Sequence, residues 1–297
     1  MRISTYCLVV LVLGVVGCAK KKDDFSKPNE LIVCLSVTED YDRTVGKKEA
    51  MKSYLSETLN MPVKLVSVTN GTAAIEAVKA EKAHIGSVGA FSYIVAKSKV
   101  DIVPLVTTAS VSDTIEHDYK STLIVPKNSK INSIDDIIKN KGELSMAWSY
   151  PTSTSGHLIP RNYLQSVGVL PEDFNEVLVA ENHVSAVYSC ITEKVDLAAV
   201  SDLTLKEYNR RGKITKDQYK VIWESEPIRR GAIFVNNKVN EALKHKIQKA
   251  LLDLHVTSSE TAKKIHYHYD YDVKYVATTD ADYDDLRTMA KNFGLIE

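Results

Sequence analysis

The chain has 297 residues, 44% of them hydrophobic, with 38 basic and 38 acidic side chains. That length supports one large domain or two medium lobes, and the zero formal charge, without any long basic run, argues against a nucleic-acid partner. An anion drawn to such a chain has to be held by local groups, because the overall field offers it nothing.

Arg2 followed by the apolar run Tyr6–Val16 has the form of a secretion signal over residues 1–17. The run is too short for a membrane span. Val15-Val16-Gly17-Cys18 resembles a bacterial lipobox, which implies cleavage before Cys18 and lipid attachment at its thiol. Residues 18–30, with Lys20, Lys21, Lys22, Asp23 and Asp24, bury nothing and are expected to be a tether between lipid and domain. Cys34 lies in an apolar run and Cys190 on an expected helix. Two small buried thiols are expected there in preference to a disulfide.

From Leu31 onward, strand and helix patterns alternate. Strands are predicted at Leu31–Val37, Val63–Val68, Ile85–Val88, Ile102–Thr107 and Ser121–Pro126, separated by helices at Gly46–Leu59, Thr72–Lys82 and Phe91–Lys97. The alternation restarts after Pro126. Strands follow at Leu144–Trp148, Val177–Val179, Leu197–Val200 and Tyr219–Trp223, with helices at Ile134–Lys139, His157–Val167, His183–Glu193, Leu203–Arg211 and finally Glu241–His255. This order predicts an α/β architecture with mostly parallel sheets. It suggests two lobes around a cleft lined by loops at the carboxyl ends of strands.

Four strand-to-helix loops carry the chemistry suited to an oxyanion. They are Thr69-Asn70-Gly71-Thr72, Gly89-Ala90-Phe91-Ser92-Tyr93, Ser153-Thr154-Ser155-Gly156 and Asn182-His183. A helix start presents unpaired N–H groups and a partial positive charge, and neighbouring hydroxyls add donors. Thr, Ser and Asn also cap helices that bind nothing. Ser153-Thr154-Ser155-Gly156 stands out because three consecutive hydroxyls exceed the needs of one cap.

Pro151-Thr152-Ser153-Thr154-Ser155-Gly156-His157-Leu158-Ile159-Pro160 resembles the signature of the phosphonate, phosphite and phosphate substrate-binding proteins of ABC importers. Gly89–Tyr93, Tyr119–Val125, Asn182-His183, Ile222–Ile228 and Thr279–Asp284 support the likeness, which runs from about Leu31 to Gly294. The resemblance implies a two-lobed type II periplasmic-binding-protein fold with two hinge-crossing segments. Residues 31–120 with 232–297 would form one lobe and 121–231 the other. It also implies a ligand site comprising Ser153, Thr154, Ser155, Gly156, His183, Asp202, Tyr119, Ser92, Tyr93 and Thr72. In that site His183 would donate to an anion that favours its protonated form, Tyr119 would close over the ligand, and Asp202 would accept from an amine or a protonated oxyanion.

The chain departs from the family pattern at Pro227-Ile228-Arg229-Arg230-Gly231-Ala232, where aminophosphonate-binding members carry an acid, and near Gly71, where some members place an aromatic. Both departures point to a ligand without an amine. Arg229 and Arg230 are expected either to pair with anion oxygens or to be solvated beside the hinge. His266, His268, Asp270 and Asp272 share one face of a would-be strand but are not taken as a metal site. Neither Ser153 nor Ser155 lies in a Gly-x-Ser-x-Gly context. The expected protein is a monomeric solute-binding lipoprotein outside the cytoplasm, without cofactor, metal or catalysis, whose partners are a small oxyanion and an importer permease. Its membrane contact is through lipid alone. The alternatives are a sensory lipoprotein for the same anion and an envelope hydrolase.

Overall fold

The computed structural model describes residues 24–36, 41–111, 119–266 and 273–297. Cys7, Cys18, His268, Asp270 and Asp272, together with the signal and residues 19–23, lie outside the described residues; residues 24–30 are not a free tether as expected, because Phe25 stacks on His84 at 4.4 Å and the Ser26 carbonyl accepts from Asn240.

In the first lobe the strands are β1 (Leu31–Ser36), β2 (Val63–Val68), β3 (Ile85–Ser87) and β4 (Ile102–Ser110). They alternate with helices α1 (Tyr41–Leu59), α2 (Gly71–Lys79) and α3 (Ala90–Lys99). The chain then builds a second sheet. Its strands are β5 (Ser121–Pro126), β6 (Ser145–Trp148), β7 (Glu176–Val179), β8 (Leu197–Ser201) and β9 (Tyr219–Glu224). Its helices are α4 (Ile134–Asn140), α5 (Ile159–Ser166), α6 (His183–Ile191) and α7 (Asp202–Arg210). The return to the first lobe supplies β10 (Ile233–Asn236), α8 (Glu241–Thr257), α9 (Ser259–Ile265), β11 (Val273–Ala277) and α10 (Asp284–Asn292).

The sheet orders are β11-β4-β10-β3-β1-β2 and β7-β6-β8-β5-β9. Both sheets are mixed, which corrects the expectation of mostly parallel sheets. β10 runs antiparallel to both of its neighbours, as does β5, because each is the strand on which the chain enters a lobe from the other. The two crossing segments lie side by side. Tyr119 pairs with Ile228 in an isolated antiparallel bridge, and the Ser225 N–H donates to the Ser121 carbonyl at 2.9 Å.

Each sheet is covered on both faces. In β1, Leu31, Val33 and Leu35 face α1, α8 and α9, while Cys34 faces the opposite core of α2, α3 and α10, as the two-residue strand period requires. The second sheet has α6 and α7 on one face and α4 and α5 on the other. Cys34 and Cys190 are free and buried in different lobes. No described helix is long and apolar enough to cross a membrane.

Candidate functional site

The loop Ser153–Gly156 follows β6 and opens α5 through a turn of π-helix at Thr154–Leu158. Pro160 helps to explain this wide turn. It has no N–H to give the Gly156 carbonyl four residues back, and Ser149 N–H takes that carbonyl instead, at 2.9 Å. The Ile159 N–H reaches back five residues to Thr154. The skipped Ser155 carbonyl accepts from Ser121 Oγ at 2.6 Å. The loop is thus tied to β5 and β6, and Ser153, Thr154 and Ser155 are all buried. Ser153 Oγ accepts from the Gly156 N–H at 2.9 Å, which leaves its own proton to give. The N–H groups of Thr154 and Ser155, in the first turn, have no acceptor within the helix.

His183 begins α6 beside this loop. Its Nδ1 accepts from the Ser201 N–H at 3.1 Å and lies 3.0 Å from Ser149 Oγ, whose own proton goes to the Ala199 carbonyl at 3.0 Å. With Nδ1 occupied as an acceptor, the proton resides on Nε2, which points at Ser153 Oγ, 3.3 Å away. Part of the imidazole reaches the cleft, but protein crowds the rest, and burial pushes its pKa down to about 4. Without an anion beside it the ring is therefore a neutral N–H donor, and the protonated form expected from the sequence is one that only a bound anion would favour. Gly156 permits the close packing: a Cβ there would lie 2.3 Å from Ser149 Oγ and 2.8 Å from His183 Cε1.

The first lobe meets this wall with its own helix starts. Helix α3 is capped by Gly89, which has no side chain to offer, and the Phe91 N–H donates instead to Thr154 Oγ1 at 2.9 Å. Ser92 Oγ donates to the Thr152 carbonyl at 2.8 Å, and Thr72 Oγ1 lies 3.1 Å from Thr152 Oγ1. Asn70 caps α2 and also donates to the Glu181 carbonyl at 3.1 Å. Leu158 is buried within the first lobe's core cluster. The lobes are therefore in contact across the cleft, with Ser92 and Thr72 facing the hydroxyl loop.

Tyr119, on the first crossing segment, is hydrogen-bonded to Thr154, and burial pushes its hydroxyl pKa up. Two residues stand apart from this group. The Tyr93 hydroxyl donates to Asp280 Oδ1 at 2.7 Å, and its ring packs 4.7 Å from that of Tyr283, so it belongs to the core between α3 and the C-terminal segment. Successive helical residues point about 100° apart, so Ser92 and Tyr93 cannot both face the cleft. Asp202 lies close to Tyr119, but its carboxylate already accepts from the Lys120 N–H at 2.8 Å and pairs with Lys206 at 2.7 Å. It fastens α7 to the crossing segment, and its charge is already shared with the Lys206 ammonium.

Residues that the sequence reading passed over complete the site. Thr152, Ser149 and Ser121 hold the hydroxyl loop. Thr152 stood inside the signature, whereas Ser121 gave no local sign of its role. Arg230 is buried, with its guanidinium 5.6 Å from the Tyr119 ring centroid. Arg229 instead makes a partly exposed 3.9 Å ion pair with Asp282. Gly231 leaves no room for any side chain, since a Cβ there would lie 1.8 Å from the Val88 carbonyl oxygen. A larger depression of about 590 Å³ at the opposite edge of the second sheet is lined by Asp136, Glu143 and Asp196, and its acidic rim does not suit an anion. Among the described residues no group of three or more metal-ligating side chains assembles.

Two lobes, each with a sheet covered by helices, meeting at helix starts around a set of neutral donors, define the class of two-lobed binding proteins. Residues 35–283 match the model of the family described as ABC transporter, phosphonate, periplasmic substrate-binding protein, and the chain belongs to that family. It is 28% identical over 145 residues to a phosphonates-binding periplasmic protein of Escherichia coli, covering 48% of this chain and 43% of that one. It is also 28% identical over 147 residues to a probable ABC transporter phosphite-binding protein of Prochlorococcus marinus, covering 49% of this chain and 48% of that one. These matches span about half the length of the curated relatives.

The fold is similar to that of a binding protein component of an ABC phosphonate transporter from Pseudomonas aeruginosa, with TM-score 0.78 and 22% identity over 88% of this chain and 85% of that one. It is equally similar to PhnD1 of Prochlorococcus marinus in complex with methylphosphonate, with TM-score 0.78 and 17% identity over 90% and 99% of the two chains.

Proposed function

We propose that this protein captures a small phosphorus oxyanion without an amine, of the phosphite, methylphosphonate or phosphate type, and delivers it to the permease of an ABC importer. Lobes at 31–120 with 232–297 and at 121–231 would close on it. The observation that carries this reading is the hydroxyl loop itself. Three consecutive buried hydroxyl residues, Ser153, Thr154 and Ser155, open one helix beside the Nε2–H of a neutral His183, which lies 3.3 Å from Ser153 Oγ, and the nearby acid Asp202 is already paired with Lys206. A buried array of neutral donors can hold an oxyanion without counter-charges, because each hydrogen bond to a charged group contributes about 1.5–3 kcal/mol.

Calorimetry with phosphite, phosphate, methylphosphonate, 2-aminoethylphosphonate and sulfate tests the reading. A phosphorus oxyanion should bind tightest, and Ser155→Ala and His183→Ala should each weaken it about tenfold or more. Tightest binding of the amine would refute the amine-free ligand, and preference for sulfate would refute the ligand class.

Membrane attachment through a lipid on Cys18 is part of the same proposal, supported by the Val15-Val16-Gly17-Cys18 pattern and the charged stretch behind it. Cys18→Ser should release the protein from membranes or leave an uncleaved precursor. Unchanged mature size and membrane partition would remove this part of the reading. The protein would act as a monomer, with its family's extracytoplasmic location.

A further inference from the structure

Tyr150 stands at the edge of the hydroxyl loop without having a role in it so far. Its carbonyl accepts from the Ser153 N–H at 2.9 Å, which closes the turn Tyr150-Pro151-Thr152-Ser153 directly ahead of that loop. Pro151, second in the turn, has a fixed φ and confines Tyr150 before it to extended backbone. The ring therefore leaves the chain at a set point and is carried with the loop. It is half-buried and packs against the His183 imidazole, with ring centroids 5.9 Å apart and an interplanar angle of 78°.

Across the cleft the same ring meets the bare start of α2. Gly71 opens that helix, and a Cβ there would lie 3.4 Å from Tyr150 Cε2 and 2.1 Å from Ser92 Oγ. Ser92 in turn donates to the Thr152 carbonyl, within the turn that Tyr150 begins. Tyr150 also acts on the ionisation of the Tyr119 hydroxyl, which is bonded to Thr154. One ring thus borders His183 in the second lobe and Gly71 in the first. A tetrahedral anion whose oxygens face Ser153–Gly156 and His183 has its remaining bond directed away from that helix start, towards the first lobe. The described groups on that side include the α2 backbone and the Tyr150 ring. Hydrogen, oxygen or a methyl group adds little length there, whereas each further methylene has to enter space that ring and backbone already fill.

We propose that the Tyr150 ring is the barrier that limits the fourth substituent on phosphorus, admitting hydrogen, oxygen or methyl and turning away longer alkyl arms. The inference rests on the ligand class proposed above and narrows it to the smallest members. Because the ring and the hydroxyl loop belong to one turn, the distance from the oxyanion donors to the barrier is set inside the second lobe. The bulk of the ring performs the selection, so any residue of similar size and shape at position 150 should preserve it.

Calorimetry with methylphosphonate, ethylphosphonate and propylphosphonate tests this on the wild-type protein, Tyr150→Ala and Tyr150→Phe. One methylene more than a pocket accommodates changes affinity by about tenfold or more. The wild-type protein should therefore bind methylphosphonate at least about tenfold tighter than ethylphosphonate, and propylphosphonate more weakly still. Tyr150→Ala should bind propylphosphonate tighter than the wild-type protein does, bringing the methyl-to-propyl ratio within about threefold of unity. Tyr150→Phe keeps the ring and should keep the wild-type ratio. Equal wild-type affinities for the three compounds would overturn the barrier and leave the ligand class intact. So would a Tyr150→Ala variant, folded by its melting curve, that weakens all three by one factor, which is the result if the ring only orients His183. Collapse of the ratio in Tyr150→Phe would overturn a limit set by bulk. Failure of all three, and of phosphite and phosphate, to bind would overturn the barrier and the ligand class together. The wild-type series decides the matter even where a variant does not fold.

Discussion

The two adjoining parts of the cleft are built from opposite materials. At Ser153–Gly156 and His183 every donor is neutral, and the loop and the ring are held by bonds to the second sheet, with Thr154 bonded to α3 of the first lobe as well. At Lys47 and Arg230, which line an adjoining cavity of about 250 Å³, the donors are cations on long side chains, brought together from segments far apart in the chain. Neutral donors fixed by backbone specify where oxygens must be, and salt screens them little. Charges on long stems attract an anion and tolerate variation in its shape, but they are desolvated at a cost and weaken with ionic strength. The contrast teaches that a loop held by local bonds and a group of long side chains gathered from distant segments can respond separately to substitution.

The largest expected effect comes from breaking the neutral wall at its tightest point. Gly156→Ala places a methyl 2.3 Å from Ser149 Oγ, so either the loop shifts or Ser149 leaves His183. Overpacking of this kind typically costs about 1–3 kcal/mol. Oxyanion affinity should fall at least tenfold. Calorimetry on the variant with phosphite, phosphate and methylphosphonate would check this, and unchanged affinity would show that the loop does not hold the oxyanion.

A smaller effect follows from the histidines. His183 and His157 are held near 4 by burial and His266 near 3, all below the unfolded value of about 6.5. Between about pH 6.5 and 4 the unfolded chain binds more protons than the folded one, so stability is fully present above 6.5 and declines as the pH falls through that window. Urea midpoints measured from pH 7.5 to 4.5 should drop accordingly, and His183→Gln should flatten the decline. A midpoint independent of pH would contradict the neutral assignment of these rings. The smallest effect is expected at Arg229→Ala. Its partly exposed ion pair with Asp282 is worth about 0–1 kcal/mol, so ligand preference should not move.

The sequence made the alternation of elements readable because apolar periodicity is local. Strand direction is not local, so the reversed strands β5 and β10 were unreadable, and the four-residue β10 after the Gly231 turn left too short a pattern to register. The hydroxyl loop was legible because Ser153-Thr154-Ser155 is excessive for a cap. Tyr93 was included because it adjoins Ser92, although helix geometry turns it into the core. The bond from the Lys120 N–H to Asp202 could not be read locally because the two lie 82 residues apart, and Lys47 went unnoticed because Lys47-Lys48 near a helix start looks like any solvated pair of charges.

Pro160 has a consequence for how such a receptor changes what it carries. By withholding one N–H it releases a carbonyl to Ser149, and the wide turn beside it leaves a second to Ser121, so the head-group loop is stitched into the sheet whether or not a ligand is present. Little order remains to be gained there on binding, and little shape can be altered without unpicking several bonds at once. Change is thereby channelled to residues that touch the loop only at its margin, such as Thr72, whose contact reaches no further than Thr152.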